Sequence, residues 1–129
     1  MEKMEQSDLI GVIALLIHAA KIDENYTEKE EKIIKDFLIK FETNENRQKE
    51  VLQKAEKLEL NSNQLLNFTN IIKKNEKIDK YMIIEQLWKI IISDNNSDQY
   101  ESNLMRRICG LIYFPDKLSG EIKLKLKKK

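Results

Sequence analysis

Carboxylates are the residues of this chain placed to do chemistry, and they come in two matching sets. Asp23, Thr27 and Glu30 follow one apolar run, and Asp94, Asp98 and Glu101 follow another 71 residues later. At that offset the flanking apolar positions also fall into register: Leu16 with Leu87, Ala19 with Ile90, Ile34 with Met105 and Phe37 with Ile108. A motif that recurs together with its apolar frame predicts a duplicated helix, acidic loop, helix unit. Thr27 with Glu30 has the form of a capping box and Asp98 with Glu101 of its acidic variant, each cap being worth on the order of 1 kcal/mol. Asp23 and Asp94 sit instead where apolar helices end, facing the negative pole of the helix dipole at a cost of about 0.3 to 1 kcal/mol. Two things offset such a cost: hydrogen bonds from the exposed N–H groups of the next helix, or a bound cation.

Any cation held there would be hard and oxygen-ligated, calcium or magnesium, because the single His and single Cys cannot build a zinc site. An EF-hand is excluded by ligand geometry. Counting from Asp23 or Asp94 puts Ile34 or Met105 at the twelfth loop position, which must be a bidentate Glu. His18, one turn before Asp23, reads as a hydrogen-bonded boundary residue, since no partner nucleophile accompanies it. Cys109 lies among apolar residues and reads as a buried, inert thiol. No phosphate-binding glycine loop and no H-E-x-x-H occurs.

The elements that must carry these residues are helical. Three glycines and one proline in 129 residues, with 35% charged residues, favour helices over turn-rich sheets. Leu9, Val12, Ile13, Leu16, Ile17 and Ala20 predict a first helix with further apolar residues on its other faces, and therefore a central one. A second, amphipathic helix follows Thr27. A charged peripheral helix is predicted from about Asn46 to Leu58, with Val51, Leu52, Ala55 and Leu58 inward. Asn61 with Gln64 resembles a capping box that opens a helix through Phe68, Thr69 and Ile72. From about residue 79 to Ser93 the chain repeats the first helix in character, with Trp88 in the core, and Leu104 to Ile112 stripe its cover. After Pro115 a weak last helix places Leu118, Ile122 and Leu126 inward, and the basic tail from about 121 to 129 is read as solvated. The expectation is one all-α domain over 1–129 with six or seven helices, its repeat units at about 9–41 and 79–112.

The segments LLIHAAKIDENYTEKEEKII, Leu15 to Ile34, and EQLWKIIISDNNSDQYESNLMRRI, Glu85 to Ile108, resemble the two repeats of TerB-like proteins. That superfamily includes the tellurite-resistance TerB proteins and the N-terminal domain of the membrane co-chaperone DjlA. The resemblance is nearest to its short, stand-alone bacterial branch and covers nearly the whole chain, including Leu65 to Thr69, LLNFT. It implies a compact bundle of helices built on a pseudo-duplicated unit. Carried over residue by residue, it implies Asp23, Glu30, Asp94 and Glu101 as candidate metal ligands. Where the family often has Asp-Gly, this chain has Asp23-Glu24 and Asp94-Asn95. Asn tolerates the left-handed conformation and Glu does so poorly, so the second loop is expected to keep the better geometry.

Net charge is only +1, which gives no global field for nucleic acid, and Arg106, Arg107 and the tail lysines lack interleaved aromatics. The Leu9 to Ala20 run is shorter than the roughly 20 residues of a membrane span, and its leader is acidic, against a secretion signal. A cytoplasmic, non-enzymatic module is expected, binding a divalent cation, a partner protein or both, in a tellurite-type stress response. The alternative is a structural interaction domain, homodimeric forms included, whose acidic loops are only helix caps. A metal-dependent hydrolase stands third and requires a metal-polarised water between the loops.

Overall fold

Two helices apolar on most faces organise the structure, because each must find neighbours on several sides at once. The computed structural model describes residues 6–21, 28–61, 66–74, 80–93 and 99–127, and the described residues form seven helices with no strand. These are α1 (Gln6–Ala20), α2 (Glu28–Phe41), α3 (Glu45–Asn61), α4 (Leu66–Lys74), α5 (Lys80–Ser93), α6 (Gln99–Ile112) and α7 (Asp116–Lys127). The all-α expectation holds.

The first central helix, α1, buries ten of its fifteen residues and packs against α2, α3, α4 and α5. Its Gly11 admits α4 closely, since a Cβ there would lie 2.5 Å from Ile71 Cδ1. The second, α5, buries Ile83, Ile84, Leu87, Trp88, Ile90 and Ile91 and packs against α1, α2, α6 and α7. The two central helices therefore meet, as their composition predicts. Gln86 is also buried on α5, and its Nε2 has no hydrogen-bond partner among the described residues. Such a donor costs about 1 to 3 kcal/mol, and nothing in the structure explains it.

The covering helices are amphipathic. On α2 the buried face is Ile34, Phe37 and Leu38, with the Phe37 and Phe41 rings 4.9 Å apart across one turn. On α6 it is Met105, Ile108, Cys109 and Ile112. The last residues of α2 and α6, Phe41 and Ile112, are 71 residues apart, as the acidic motifs are in the sequence, and α3 and α7 also start 71 residues apart. In each unit the third helix packs on the central one, α3 on α1 and α7 on α5.

Two boundaries differ from expectation. α3 opens at Glu45 because Asn44 caps it: Asn44 Oδ1 accepts from the backbone N–H groups of Asn46 (2.9 Å) and Arg47 (3.1 Å). Asn61 belongs to α3, and the expected capping box with Gln64 falls on residues 62–65, outside the described residues. The last helix begins at Asp116, directly after Pro115, and takes up most of the basic segment. On it Ile122 is buried and Leu126 half-buried, while Leu118 is exposed, against the expected inward position. Before it, Tyr113 holds φ 60° and the Phe114 N–H donates to Cys109 O at 2.8 Å, the Schellman closure of α6.

Candidate functional site

Of the two acidic motifs the structure describes the helical part, α2 from Glu28 and α6 from Gln99. Glu30 and Glu101 are consequently the third residues of their helices. Glu30 is buried, 1% exposed, in a first turn that also carries Glu28 and Glu31, and negative charge is favourable at that end of the dipole. Glu101 occupies the first turn of α6, its side chain outside the described part. Asp23, Thr27, Asp94 and Asp98 lie outside the described residues. The described residues thus bring none of the four candidate ligands together, and among them no group of three or more His, Cys, Asp or Glu side chains is arranged to hold a metal.

A cluster that sequence reasoning missed lies where α1 ends. Glu59, near the end of α3, is buried against it. Its Oε1 is 3.2 Å from Lys21 Nζ, and its Oε2 is 3.9 Å from His18 Nδ1, an ion-pair spacing too long for a hydrogen bond. The His18 ring tilts against Phe68 of α4 at 5.7 Å between centroids. Three helices therefore fix one imidazole, one ammonium and one carboxylate just before residues 22–27. The arrangement holds charge in place, and no hydroxyl or thiol among the described residues is joined to His18 as a nucleophile. A signal for Glu59 was present: it falls on the inward stripe of Val51, Ala55 and Leu58, where a carboxylate is out of place unless partnered.

The remaining polar core group ties α5 to α7. Trp88 Nε1 donates to Ser119 Oγ at 2.9 Å, both residues being buried. Cys109 lies beside Ser119, and burial pushes its thiol above the ordinary cysteine range, with Asp116 adding to the rise. A thiol so shifted is a poor nucleophile, in agreement with its reading as a core residue. Among the described residues no helix is long and apolar enough to cross a membrane.

Comparison with known proteins bears on the whole of this arrangement. No curated protein and no solved structure matches the chain. The family model described as tellurite resistance protein TerB matches residues 9–124, from the first buried leucine of α1 to the last turns of α7. A match over nearly the full length, with the described residues forming helices and no strand, shows that this chain belongs to the TerB family of tellurite resistance proteins.

Proposed function

We propose that this TerB-family chain is a cytoplasmic, non-enzymatic module of a tellurite-type stress response that works by binding. Calcium or magnesium binds at the acidic loops through Asp23, Glu30, Asp94 and Glu101, and the loaded fold engages a protein partner. The observation that carries this reading is the burial of Glu30, 1% exposed at the helix start that follows residues 22–27. A carboxylate already withdrawn from water and fixed by its helix has less hydration and less side-chain freedom to lose when a cation arrives. A second reading is an interaction domain whose acidic loops only cap helices, supported by Glu30 and Glu101 standing three positions after Thr27 and Asp98, the spacing of a capping box.

Thermal melts separate the two. With chelator and with millimolar calcium or magnesium at matched ionic strength, the wild-type chain is expected to melt higher in the cation. A ligand at one hundred times its dissociation constant adds about 2.7 kcal/mol to native stability. Asp94→Asn should remove more of the gain than Asp23→Asn, because Asn95 accepts a left-handed turn more readily than Glu24. Coincident melts in all conditions would leave the carboxylates as caps and give the interaction domain the field.

A further inference from the structure

Two grooves of similar size lie at equivalent places in the two halves. The first, of about 300 Å³, runs between α2 and α3, with Lys35, Glu45 and Leu52 on its walls. The second, of about 260 Å³, lies where α5, α6 and α7 meet, with Arg106, Asp116 and Lys123 at the positions 71 residues further on. The two linings correspond at five positions, and the charge they carry differs. Lys35 is already neutralised by Glu31 one turn earlier, 2.8 Å away. The position one turn before Arg106 is Ser102, which carries no charge, and among the described residues neither Arg106 nor Lys123 enters an ion pair. Where the first groove has apolar Leu52, the second has the ammonium of Lys123.

The cationic wall is held in place. Lys123 Nζ sits over the Trp88 ring, 4.9 Å from its centroid, and Trp88 is itself fixed by its hydrogen bond to Ser119. Gly120 lines the same cavity, and a Cβ there would meet nothing within 4 Å, so its missing side chain leaves the wall open. A guanidinium offers a planar fork that fits two oxygens of a tetrahedral anion, and an ammonium beside it supplies a second point of charge.

We propose that the cavity between α5, α6 and α7 binds a small oxyanion of the phosphate class, through the Arg106 guanidinium and the Lys123 ammonium. Asp116 on the rim opposes it and limits the affinity.

Trp88 is the only tryptophan, so its fluorescence reports on this groove alone. The full chain is titrated with inorganic phosphate, and with chloride at matched ionic strength. Phosphate is expected to give a saturable fluorescence change that chloride does not reproduce, with a parallel rise in melting temperature. Arg106→Gln and Lys123→Gln should each weaken binding about tenfold or more, the scale of a lost charge-assisted contact. Asp116→Asn should tighten it, and Lys35→Gln in the other groove should change nothing. Glycerol phosphate in a further arm names the source: tighter binding than inorganic phosphate assigns the site to an organic monoester, weaker binding to the free anion. Circular dichroism identifies a variant that fails to fold, and Arg106→Lys, which keeps the charge and loses the fork, then replaces Arg106→Gln. A response that chloride reproduces, or one that survives in both folded Gln variants, overturns the proposal.

Discussion

Removing the exposed partner of the Lys21–Glu59 pair should cost more than removing the buried one. The ammonium and carboxylate are 3.2 Å apart, and at an effective dielectric constant near 20 their attraction is about 5 kcal/mol. Most of that is offset by desolvation, which falls unequally: the Glu59 side chain is 10% exposed and that of Lys21 is 35% exposed. Lys21→Met leaves the carboxylate in its pocket with His18 at 3.9 Å, and the lost compensation, discounted for the water that reaches Lys21, is about 1 to 2 kcal/mol. Glu59→Leu releases Lys21 to solvent and puts an apolar side chain on the inward stripe of Val51 and Ala55, a change expected to be neutral or stabilising by up to about 1 kcal/mol. Urea unfolding measures both. In the double variant, Lys21→Met should cost almost nothing, because the charge it compensated is gone. If Glu59→Leu lowers the midpoint more than Lys21→Met does, the carboxylate is doing something besides pairing, and the electrostatic account of the cluster fails.

Two other outcomes follow from the same structure. Asn44→Ala removes the acceptor of two backbone N–H groups at the start of α3 and should lower stability by about 1 kcal/mol in urea unfolding, whereas Asn44→Asp should not. Burial raises the Cys109 thiol, so the folded chain keeps its proton at pH values where the unfolded chain loses it, above about 8.5. The native state then binds more protons, its stability falls as pH rises through that window, and Cys109→Ala should remove this part of the slope. Alkylation of the thiol should likewise be slow until denaturant is added.

What could be read in the sequence was whatever local spacing determines. The stripe from Leu9 to Ala20 and its counterpart around Leu87 specify buried helices through their own periodicity. What could not be read depends on residues far apart in the chain. Glu59 and Lys21 are 38 positions apart, and Trp88 and Ser119 are 31 apart, so neither pairing leaves a local pattern. Of the candidate cation site only the helix-borne half is described, Glu30 buried and Glu101 in its first turn, while Asp23 and Asp94 lie outside the described residues.

The 71-residue correspondence separates what the fold demands from what it leaves free. Positions facing the core carry residues of one kind in both halves: Leu16 and Leu87, Ile34 and Met105, Val51 and Ile122, each buried. A close-packed interior accepts changes of shape only at similar volume and polarity. Positions lining the grooves show no such agreement, with Lys49 against Gly120 and Leu52 against Lys123. Groove positions meet water as well as protein, and substitutions there change charge at little cost to the fold. Corresponding positions of the two halves can therefore present different surfaces. If this chain discriminates between ligands, the discrimination resides in those grooves and in the acidic loops, and the interior holds them at a fixed spacing.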